Sequence, residues 1–248
     1  MTTPRLELRN LSKRFGNVIV ADGLDLTVSP NQALGIVGPN GAGKSSLFSM
    51  ISGDLDPDKG TVLLDGADVT RKRADVRAAH GVGRTFQIPR PFEGLTVFEN
   101  VLVFATAAAG LRKDEANRLA ASSLERCGLG DLANQPAGAL GLLDRKRLEV
   151  ARALGSDPQL LLLDEVAGGL TDPEVALLVD LVNSLKSDGL TIVWIEHVVH
   201  ALLASVERLV CLAGGRLVAD GDPHDVLNDA TVRDLYLGHA VVLEQDLR

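Results

Sequence analysis

The chain has 248 residues, of which 46% are hydrophobic and 23% are charged, and its formal net charge is -8. The high apolar content and the absence of low-complexity tracts exclude an intrinsically disordered chain. With 25 Lys and Arg against 33 Asp and Glu, the chain lacks the basic excess that a nucleic-acid-binding protein more often carries.

Membrane spans and export signals are not indicated. No apolar run approaches the roughly 20 residues that a membrane-spanning helix needs, and residues 1–7 (MTTPRLE) lack the apolar run of a secretory signal. Cys127 and Cys211 are far apart and have no neighbouring His. We therefore expect reduced packing residues rather than a disulfide or a metal site, in a cytosolic protein.

Short apolar runs bounded by turn residues predict strands, with helical patterns between several of them. The predicted strands are residues 24–28, 34–37, 61–64, 160–163 and 191–195, and the predicted helices are residues 44–51, 145–154 and 173–187. The last two strands are continuously apolar, which is typical of strands buried on both faces of a parallel sheet. This alternation predicts an α/β core. Residues 209–218 predict a hairpin near the end of the chain.

A different pattern interrupts this core. Residues 88–154 are rich in Ala, Leu, Glu and Arg and contain no convincing buried strand. We expect a helical insert here, within one domain that occupies residues 1–248.

A glycine-rich loop follows the strand predicted at residues 34–37. Residues 38–45 read GPNGAGKS, fit the pattern G-x-x-x-x-G-K-[ST] and open a predicted helix. Glycines let main-chain N–H groups approach phosphates, and the helix N-terminus adds the positive end of a dipole. Lys44 supplies a charge for the β- and γ-phosphates, and Ser45 supplies a hydroxyl for Mg²⁺. A chance Lys-Ser pair in a glycine-rich turn is the alternative, and the matching strand and helix disfavour it.

Two carboxylates follow the strand predicted at residues 160–163. The carboxyl ends of strands are where open α/β sheets bind their ligands. Asp164 is therefore a candidate Mg²⁺ ligand, directly or through water, and Glu165 is a candidate general base for an attacking water. A solvated acidic turn is the alternative, which a phosphate loop in the same chain disfavours.

Three further side chains are weaker candidates when each is taken singly. His197 follows the strand predicted at residues 191–195 and can donate a hydrogen bond to a γ-phosphate, or it is an ordinary surface or core histidine. Gln87 lies before two prolines that favour an extended loop. Phe15 is either a core residue or an aromatic that stacks on adenine.

The phosphate loop, Gln87, the acidic pair and His197 occur in the order found in the ATPase subunits of ABC transporters, which the chain resembles over essentially its whole length. Shorter segments are similar to the branched-chain amino acid importer branch of that family. These segments are residues 84–87 (RTFQ), 99–101 (ENV), 147–154 (RLEVARAL), 195–197 (IEH) and 232–238 (VRDLYLG).

The resemblance implies a P-loop NTPase fold with a RecA-like core sheet, an N-terminal antiparallel β part and an inserted helical subdomain at about residues 88–154. It implies ATP and Mg²⁺ as ligands, adenine stacking by Phe15, Glu165 as base, His197 as γ-phosphate sensor and water and metal contacts for Gln87. The implied nucleotide-binding set is Phe15, Gly38, Pro39, Asn40, Gly41, Ala42, Gly43, Lys44, Ser45 and Ser46; the catalytic set is Glu165, His197 and Gln87; and the metal set is Ser45, Gln87 and Asp164.

The same resemblance implies an importer subunit that hydrolyses ATP to power amino acid uptake. Its partners would be integral membrane permeases, a second ATPase subunit (non-identical or another copy of this chain) and, indirectly, an external solute-binding protein, with the chain at the cytoplasmic face of the plasma membrane. Two alternatives stay open: an ABC system for urea, lipopolysaccharide or another solute, and a nucleotide-binding regulatory subunit with weak turnover. A soluble ABC-like ATPase of DNA repair or translation is disfavoured, because such proteins usually carry long coiled-coil inserts or two fused ATPase halves.

One segment departs from the family pattern. Members usually carry Leu-Ser-Gly-Gly-Gln or a close relative, which holds the γ-phosphate bound to the opposite subunit, where residues 140–144 of this chain read LGLLD. We call these residues the signature segment. Gly141 has no hydroxyl, Leu143 is bulky where close main-chain approach is needed, and Asp144 brings negative charge towards a phosphate. We therefore expect this segment to be a weak partner for a phosphate.

Overall fold

The computed structural model describes residues 3–235 and contains two β-sheets and a set of helices. The strands are β1 (Leu6–Phe15), β2 (Val18–Val28), β3 (Ala33–Val37), β4 (Lys59–Leu64), β5 (Ala67–Asp68), β6 (Val82–Arg84), β7 (Leu160–Asp164), β8 (Thr191–Ile195), β9 (Arg208–Ala213) and β10 (Arg216–Gly221). The helices are α1 (Lys44–Ser52), α2 (Ala74–Ala79), α3 (Val97–Ala107), α4 (Lys113–Arg126), α5 (Leu142–Leu154), α6 (Asp172–Ser187), α7 (Val199–Leu203) and α8 (Pro223–Asn228).

The larger sheet is mostly parallel and has the strand order β10-β9-β3-β8-β7-β6. Every residue of β3, β7 and β8 is buried, which explains why their sequences are continuously apolar up to the last residue of β7. Because β3, β8, β7 and β6 run in parallel, their carboxyl ends meet at one edge of the sheet. The predicted α/β core is confirmed, and this edge is where a ligand is expected.

The smaller sheet is antiparallel and has the strand order β2-β1-β4-β5. Its apolar side chains, among them Leu6, Leu8 and Leu26, share one core cluster with α1 and with residues of the parallel sheet. The N-terminal antiparallel part of the predicted fold is thus confirmed. Its first strand was missed from the sequence, because irregular pairing between Leu8 and Leu11 breaks the apolar alternation.

Helices α3, α4 and α5 and two short 3₁₀ turns occupy the region predicted as a helical insert. Residues 88–154 contain no strand, only an isolated bridge between Thr96 and Pro136. Helix α3 begins with a capping box, in which the side chains of Thr96 and Glu99 each accept a hydrogen bond from the other residue's main-chain N–H. Helix α5 begins at Leu142, three residues before the predicted start, and its second half is buried. We keep residues 88–154 as the proposed extent of the helical subdomain.

The end of the described chain and the two cysteines complete the fold. Strands β9 and β10 pair in antiparallel fashion, as the predicted hairpin requires. Cys127 and Cys211 are both buried free thiols, and burial raises the pKa of the Cys127 thiol to about 12. No helix within residues 3–235 is long and apolar enough to cross a membrane. Of the importer-like segment at 232–238, residues 236–238 lie outside the described residues.

Candidate functional site

The candidate site lies along the carboxyl edge of the parallel sheet. The phosphate loop follows β3, Gln87 follows β6, Asp164 ends β7 and His197 follows β8. These four strands are neighbours in the order β3-β8-β7-β6. The fold therefore brings together side chains that are up to 159 residues apart in sequence, from Gly38 to His197.

The phosphate loop has the main-chain shape that only glycine adopts easily. Gly38, Gly41 and Gly43 have φ angles of 150°, 80° and 104°. A Cβ atom on Gly38 would lie 2.0 Å from the Leu212 carbonyl oxygen, and one on Gly43 would lie 2.1 Å from the Val20 carbonyl oxygen. A Cβ on Gly41 would meet nothing within 4 Å. Two of the glycines are thus required by packing, whereas Gly41 leaves open space beside the loop.

Lys44 begins α1 and is turned into the loop. Its ammonium donates hydrogen bonds to the carbonyl oxygens of Gly38 at 2.7 Å and Pro39 at 3.1 Å. Burial lowers the pKa of Lys44, and the nearby carboxylates of Glu165 and Asp164 oppose that effect. The loop therefore holds a largely desolvated cation, and cations of this kind attract phosphate oxygens strongly.

Asp164 is a buried carboxylate with one unused oxygen. Its Oδ2 accepts a hydrogen bond from Arg84 at 3.3 Å, while its Oδ1 has no hydrogen-bond partner among residues 3–235. Burial raises the pKa of Asp164, against the opposing charge of Arg84. A buried acceptor without a partner is costly, and a ligand supplied from outside the chain removes that cost.

Glu165 lies in a turn with an unusual main-chain conformation. Its φ angle is 49°, in the left-handed region that costs a residue other than glycine about 1–2 kcal/mol. Its main-chain N–H donates to the Ile195 carbonyl at 2.9 Å. Strain of this sort concentrates at functional sites, where it aims a side chain.

The carboxylate of Glu165 is held between two other predicted site residues. Gln87 Nε2 donates to Glu165 Oε2 at 2.5 Å, and His197 Nε2 lies 2.8 Å from Glu165 Oε1. The structure thus brings Gln87, Glu165 and His197 into direct contact. These three come from three different strands of the sheet, so their contact is a property of the fold.

Two clefts lie beside these residues and share Ser45 and Gln87 in their walls. One has a volume of about 600 Å³ and is lined by the following residues: Val18, Val20, Asn40, Gly41, Ala42, Gly43, Lys44, Ser45, Ser46, Gln87, Glu165 and His197. The second, of about 440 Å³, brings Ser45, Gln87 and Asp164 to a common wall. The first volume is within the range of small-molecule binding sites.

The groups on this wall fit a hard divalent cation. Mg²⁺ prefers oxygen ligands and usually takes one or two carboxylates together with phosphate oxygens and waters. The Ser45 hydroxyl, the Gln87 amide oxygen and the unpartnered Asp164 Oδ1 are oxygens of that kind. The donor set therefore suits Mg²⁺ bound together with a phosphate ligand.

Phe15 lies at the end of β1 beside this site. Its side chain is 51% exposed, so it is not a core residue. It pairs with Val18, which lines the larger cleft, but Phe15 itself is not among the lining residues. The Lys13 ammonium lies 5.4 Å from its ring centroid. An exposed ring on the strand next to Val18 is consistent with stacking on a ligand, which stays a prediction.

Three buried charged residues of α5, which sequence reasoning missed, contact the main chain of the site loops. The Lys146 ammonium donates to the Gln87 carbonyl at 3.0 Å and to the Glu165 carbonyl at 3.1 Å. Glu149 accepts from the Arg90 main-chain N–H at 2.8 Å, and Arg152 donates to the Arg90 carbonyl at 2.9 Å. Lys146, Glu149 and Arg152 recur at a three-residue spacing on α5, a periodicity that was available as a signal in the sequence.

Glu196 is the second missed group. Its carboxylate accepts hydrogen bonds from the main-chain N–H groups of Ala167 at 2.7 Å and His197 at 2.9 Å. Burial raises the pKa of Glu196, although these main-chain donors act in the opposite direction. A glutamate after an apolar strand gave no sequence signal for this role, because the Ala167 N–H donor comes from another loop.

The signature segment forms the start of α5. Gly141 is the N-cap residue and gives no side-chain hydrogen bond to the helix, and Leu142 is exposed. Arg145 donates to the Leu140 carbonyl at 2.8 Å and so fixes the turn before the helix. Asp144 lies 3.6 Å from Arg147, which offsets part of its charge. The segment therefore presents a helix N-terminus without a hydroxyl.

The chain is similar to known proteins over most of its length. The family model described as ABC transporter matches residues 21–168. The chain is 34% identical to the high-affinity branched-chain amino acid transport ATP-binding protein BraF of Pseudomonas aeruginosa, over 97% of this chain and 100% of that protein. It is also 32% identical to the lipopolysaccharide export system ATP-binding protein LptB of Haemophilus influenzae, over 94% of this chain and 97% of that protein.

Solved structures give the same answer for the fold. The ADP conformation of MJ1267, an ATP-binding cassette of an ABC transporter, superposes with a TM-score of 0.88. It is 30% identical in sequence and covers 96% of this chain and 100% of its own. A nucleotide-free ATP-binding cassette from an ABC transporter gives a TM-score of 0.85 at 30% identity, over 94% of this chain and 98% of its own.

The two roles of the loop glycines lead to a first prediction. We expect Gly41→Ala to lower the free energy of unfolding by only about 1–2 kcal/mol, the cost of a positive φ angle. Gly43→Ala adds a clash with the Val20 carbonyl, and we expect a further loss of about 1–3 kcal/mol. Urea denaturation of both variants measures the difference. Equal losses would show that Val20 moves aside at no cost.

Proposed function

Since the chain belongs to the ABC transporter family, we propose that it is the ATP-hydrolysing subunit of an amino acid importer of the branched-chain type. The family assignment establishes ATP binding and ATP hydrolysis. The roles of single residues, the transported solute and the partners are our proposal. The observation that carries the residue roles is the placement of the Glu165 carboxylate, held between Gln87 and His197 at the wall of the cleft.

The phosphate loop and its helix bind the triphosphate. Lys44 gives up its bonds to the loop carbonyls in favour of β- and γ-phosphate oxygens, and the N-terminus of α1 contributes main-chain donors. Ser45, Gln87 and Asp164 hold Mg²⁺, which when bound neutralises phosphate charge in the transition state. Phe15 stacks on the adenine at the mouth of the cleft.

Hydrolysis requires a water in line with the γ-phosphate and a group that takes its proton. Glu165 is the general base, and its carboxylate accepts that proton as the water oxygen bonds to the γ-phosphorus. The bond from the γ-phosphorus to the β–γ bridging oxygen breaks in the same step, so that ADP leaves with the electron pair and the transferred group leaves as phosphate. Gln87 donates a hydrogen bond to Glu165, and the two side chains together orient the water. His197, already 2.8 Å from Glu165, donates to the γ-phosphate. The positive φ angle at Glu165 fixes the direction from which its carboxylate meets the water.

The solute is proposed from the relatives and from short segments of sequence. The branched-chain amino acid transport ATP-binding proteins BraF and LivG are 34% identical over 97% of this chain. Lipopolysaccharide export is the second candidate, because LptB proteins are 32% identical over 94% of the chain. Cells that lack the gene can be tested for uptake of labelled leucine and for export of lipopolysaccharide. Loss of leucine uptake alone would support the importer, and loss of lipopolysaccharide export alone would support the second candidate.

Membrane permeases are the proposed partners on the side of the helical subdomain. The loop after β6 exposes Phe86, Ile88 and Phe92, and α3 exposes Val103. Contiguous exposed apolar side chains are typical of a protein interface, and these residues are our candidates for one. We propose that the chain binds at the cytoplasmic face of the plasma membrane through these permeases, and that an external solute-binding protein acts on it only through them.

A second ATPase subunit completes the proposed transporter. Each ATP would lie between one subunit's phosphate loop and the other's signature segment, and here that segment has no hydroxyl at Gly141. Two copies of this chain would give two weakened sites, whereas a non-identical partner with an intact Ser-Gly-Gly segment would complete one site at Lys44 and Glu165. We therefore propose a non-identical partner.

The general-base role gives the second prediction. Glu165→Gln keeps the shape of the side chain and removes the basic oxygen, so we expect MgATP binding to persist while turnover falls by about 10²–10⁴-fold. Single-turnover hydrolysis at saturating nucleotide measures the rate, with the exposed Glu125→Gln in α4 as control. An unchanged rate in Glu165→Gln would remove Glu165 from the mechanism.

The third prediction concerns Phe15. We expect Phe15→Ala to weaken ATP binding by about 1–3 kcal/mol, the usual value of an aromatic ring stacked on a base. Inorganic triphosphate should bind this variant as tightly as the native chain, because its contacts are with the loop. Calorimetric titration with both ligands gives the comparison. Equal ATP affinity in variant and native chain would show that the exposed ring does not meet adenine.

The fourth prediction concerns the signature segment. A lost hydroxyl or N–H donor to a transition-state oxyanion costs about 3–4 kcal/mol, so we expect slow steady-state hydrolysis by the isolated chain. Gly141 has open space for a Cβ, so the Gly141→Ser variant should fold normally. The double substitution Gly141→Ser/Leu143→Gly should raise the hydrolysis rate, and addition of a non-identical ATPase partner should also raise it. Brisk hydrolysis by the isolated native chain, unimproved by the double substitution, would contradict the asymmetric model.

A further inference from the structure

We propose that Lys146 and Glu196 are positioning residues: each holds the turn at Glu165 through a main-chain hydrogen bond, and together they set the catalytic geometry. The Lys146 ammonium holds the carbonyl oxygen of Glu165, and the Glu196 carboxylate holds the main-chain N–H of Ala167, two residues later. The inference rests on the proposed role of Glu165 as general base. Lys146 and Glu196 would act through the main chain around Glu165 and would not touch the substrate themselves.

Lys146 is placed to hold two parts of the site at once. It is only 4% exposed, and its hydrogen bonds go to the carbonyl oxygens of Gln87 and Glu165. These are the two residues whose side chains meet at 2.5 Å. One ammonium therefore fixes the main chain at both ends of the Gln87–Glu165 side-chain contact.

Glu196 performs the matching task on the other side of the turn. Its two carboxylate oxygens accept from the main-chain N–H groups of Ala167, His197 and Val198. The loop after β7 and the loop after β8 are thus tied to one buried side chain. His197, which contacts Glu165, is held in place by the residue immediately before it.

The turn needs such support because its conformation is unfavourable by itself. Glu165 has a φ angle of 49°, and residues in this region persist only where the surroundings fix them. Lys146 and Glu196 are only 4% and 1% exposed, and both form their hydrogen bonds with the main chain at or beside this turn. Removal of either side chain therefore leaves the turn with less support.

The position of Lys146 adds a second consequence. Lys146 lies on α5, in the turn that follows the signature segment. A displacement of the N-terminus of α5 therefore moves the group that holds Glu165 and Gln87. Through Lys146, events at the signature segment, which faces the partner's nucleotide in the proposed dimer, reach this chain's own base.

The test combines substitutions at Lys146 with the Glu165→Gln variant. Lys146→Met has a similar length and no donor, and we expect kcat to fall at least about tenfold while the Kd for MgATP changes less than about twofold. Lys146→Arg keeps donors for both carbonyls and should recover most of the rate. In the Glu165→Gln background, Lys146→Met should change the residual single-turnover rate less than about twofold, because no base is left to position.

Lys186→Met is the matched control. Lys186 also donates to a main-chain carbonyl, that of Ser205, at 2.9 Å, and its other contact is an ion pair with Glu207. Neither partner lines the cleft. We expect Lys186→Met to leave kcat unchanged, and thermal denaturation of every variant reports folding. Should Lys146→Met be too unstable to purify, Lys146→Gln and Glu196→Gln carry the same test.

Three results would overturn the proposal. They are an unchanged kcat in folded Lys146→Met, an equal fall in kcat in Lys186→Met, and a fall of the same factor when Glu165 is already Gln. The last result would make Lys146 a general structural residue. A native rate in Glu165→Gln itself would instead contradict the proposed function, so the two failures are distinguishable.

Discussion

The parallel pairing of β7 with β8 is the constraint on which the site depends. The register places Asp164 beside Ile195, and the next main-chain hydrogen bond, from the Glu165 N–H to the Ile195 carbonyl, starts the turn at Glu165. Glu165 and His197 therefore leave adjacent strands at the same level, and their side chains meet at 2.8 Å. A one-residue slip in this register would shift the turn at Glu165 relative to the loop that carries His197 and would break this contact.

Buried charge gives precision to what the sheet brings together. Asp164, Lys44, Lys146 and Glu196 are all buried, and such groups are costly unless each has partners. Lys146 and Glu196 form their hydrogen bonds with the main chain of the site loops, whereas one oxygen of Asp164 has no partner within the described part of the chain. The interior thus separates into groups that hold the loops and groups that remain available for ligands. Helix α5 carries both Lys146, which contacts the site loops, and the N-terminal residues that belong to the signature segment.

Much of the fold and of the ligand-facing site could be predicted from local sequence. Strong local patterns mark the loop at residues 38–45, the acidic pair and the strands β7 and β8. The two strands are recognisable because parallel strands that are buried on both faces are almost continuously apolar. Strand β6 has three residues and β5 has two, too few for a periodic pattern. The supporting roles of Lys146 and Glu196 also escaped prediction, since their partners come from loops 19 to 59 residues away. Their main-chain contacts depend on tertiary structure: the three-residue spacing of Lys146, Glu149 and Arg152 places them on one face of α5 but does not show which loops that face contacts.

The account is tested most directly by the structure of this chain with Mg²⁺ and a non-hydrolysable ATP analogue bound. It predicts the triphosphate along residues 38–45, the metal in contact with the Ser45 hydroxyl and with Asp164, directly or through one water, and the Glu165 carboxylate facing a water beside the γ-phosphate. Phosphates bound elsewhere, or a Glu165 side chain turned away from the γ-phosphate while its turn keeps the same main-chain conformation, would contradict the account.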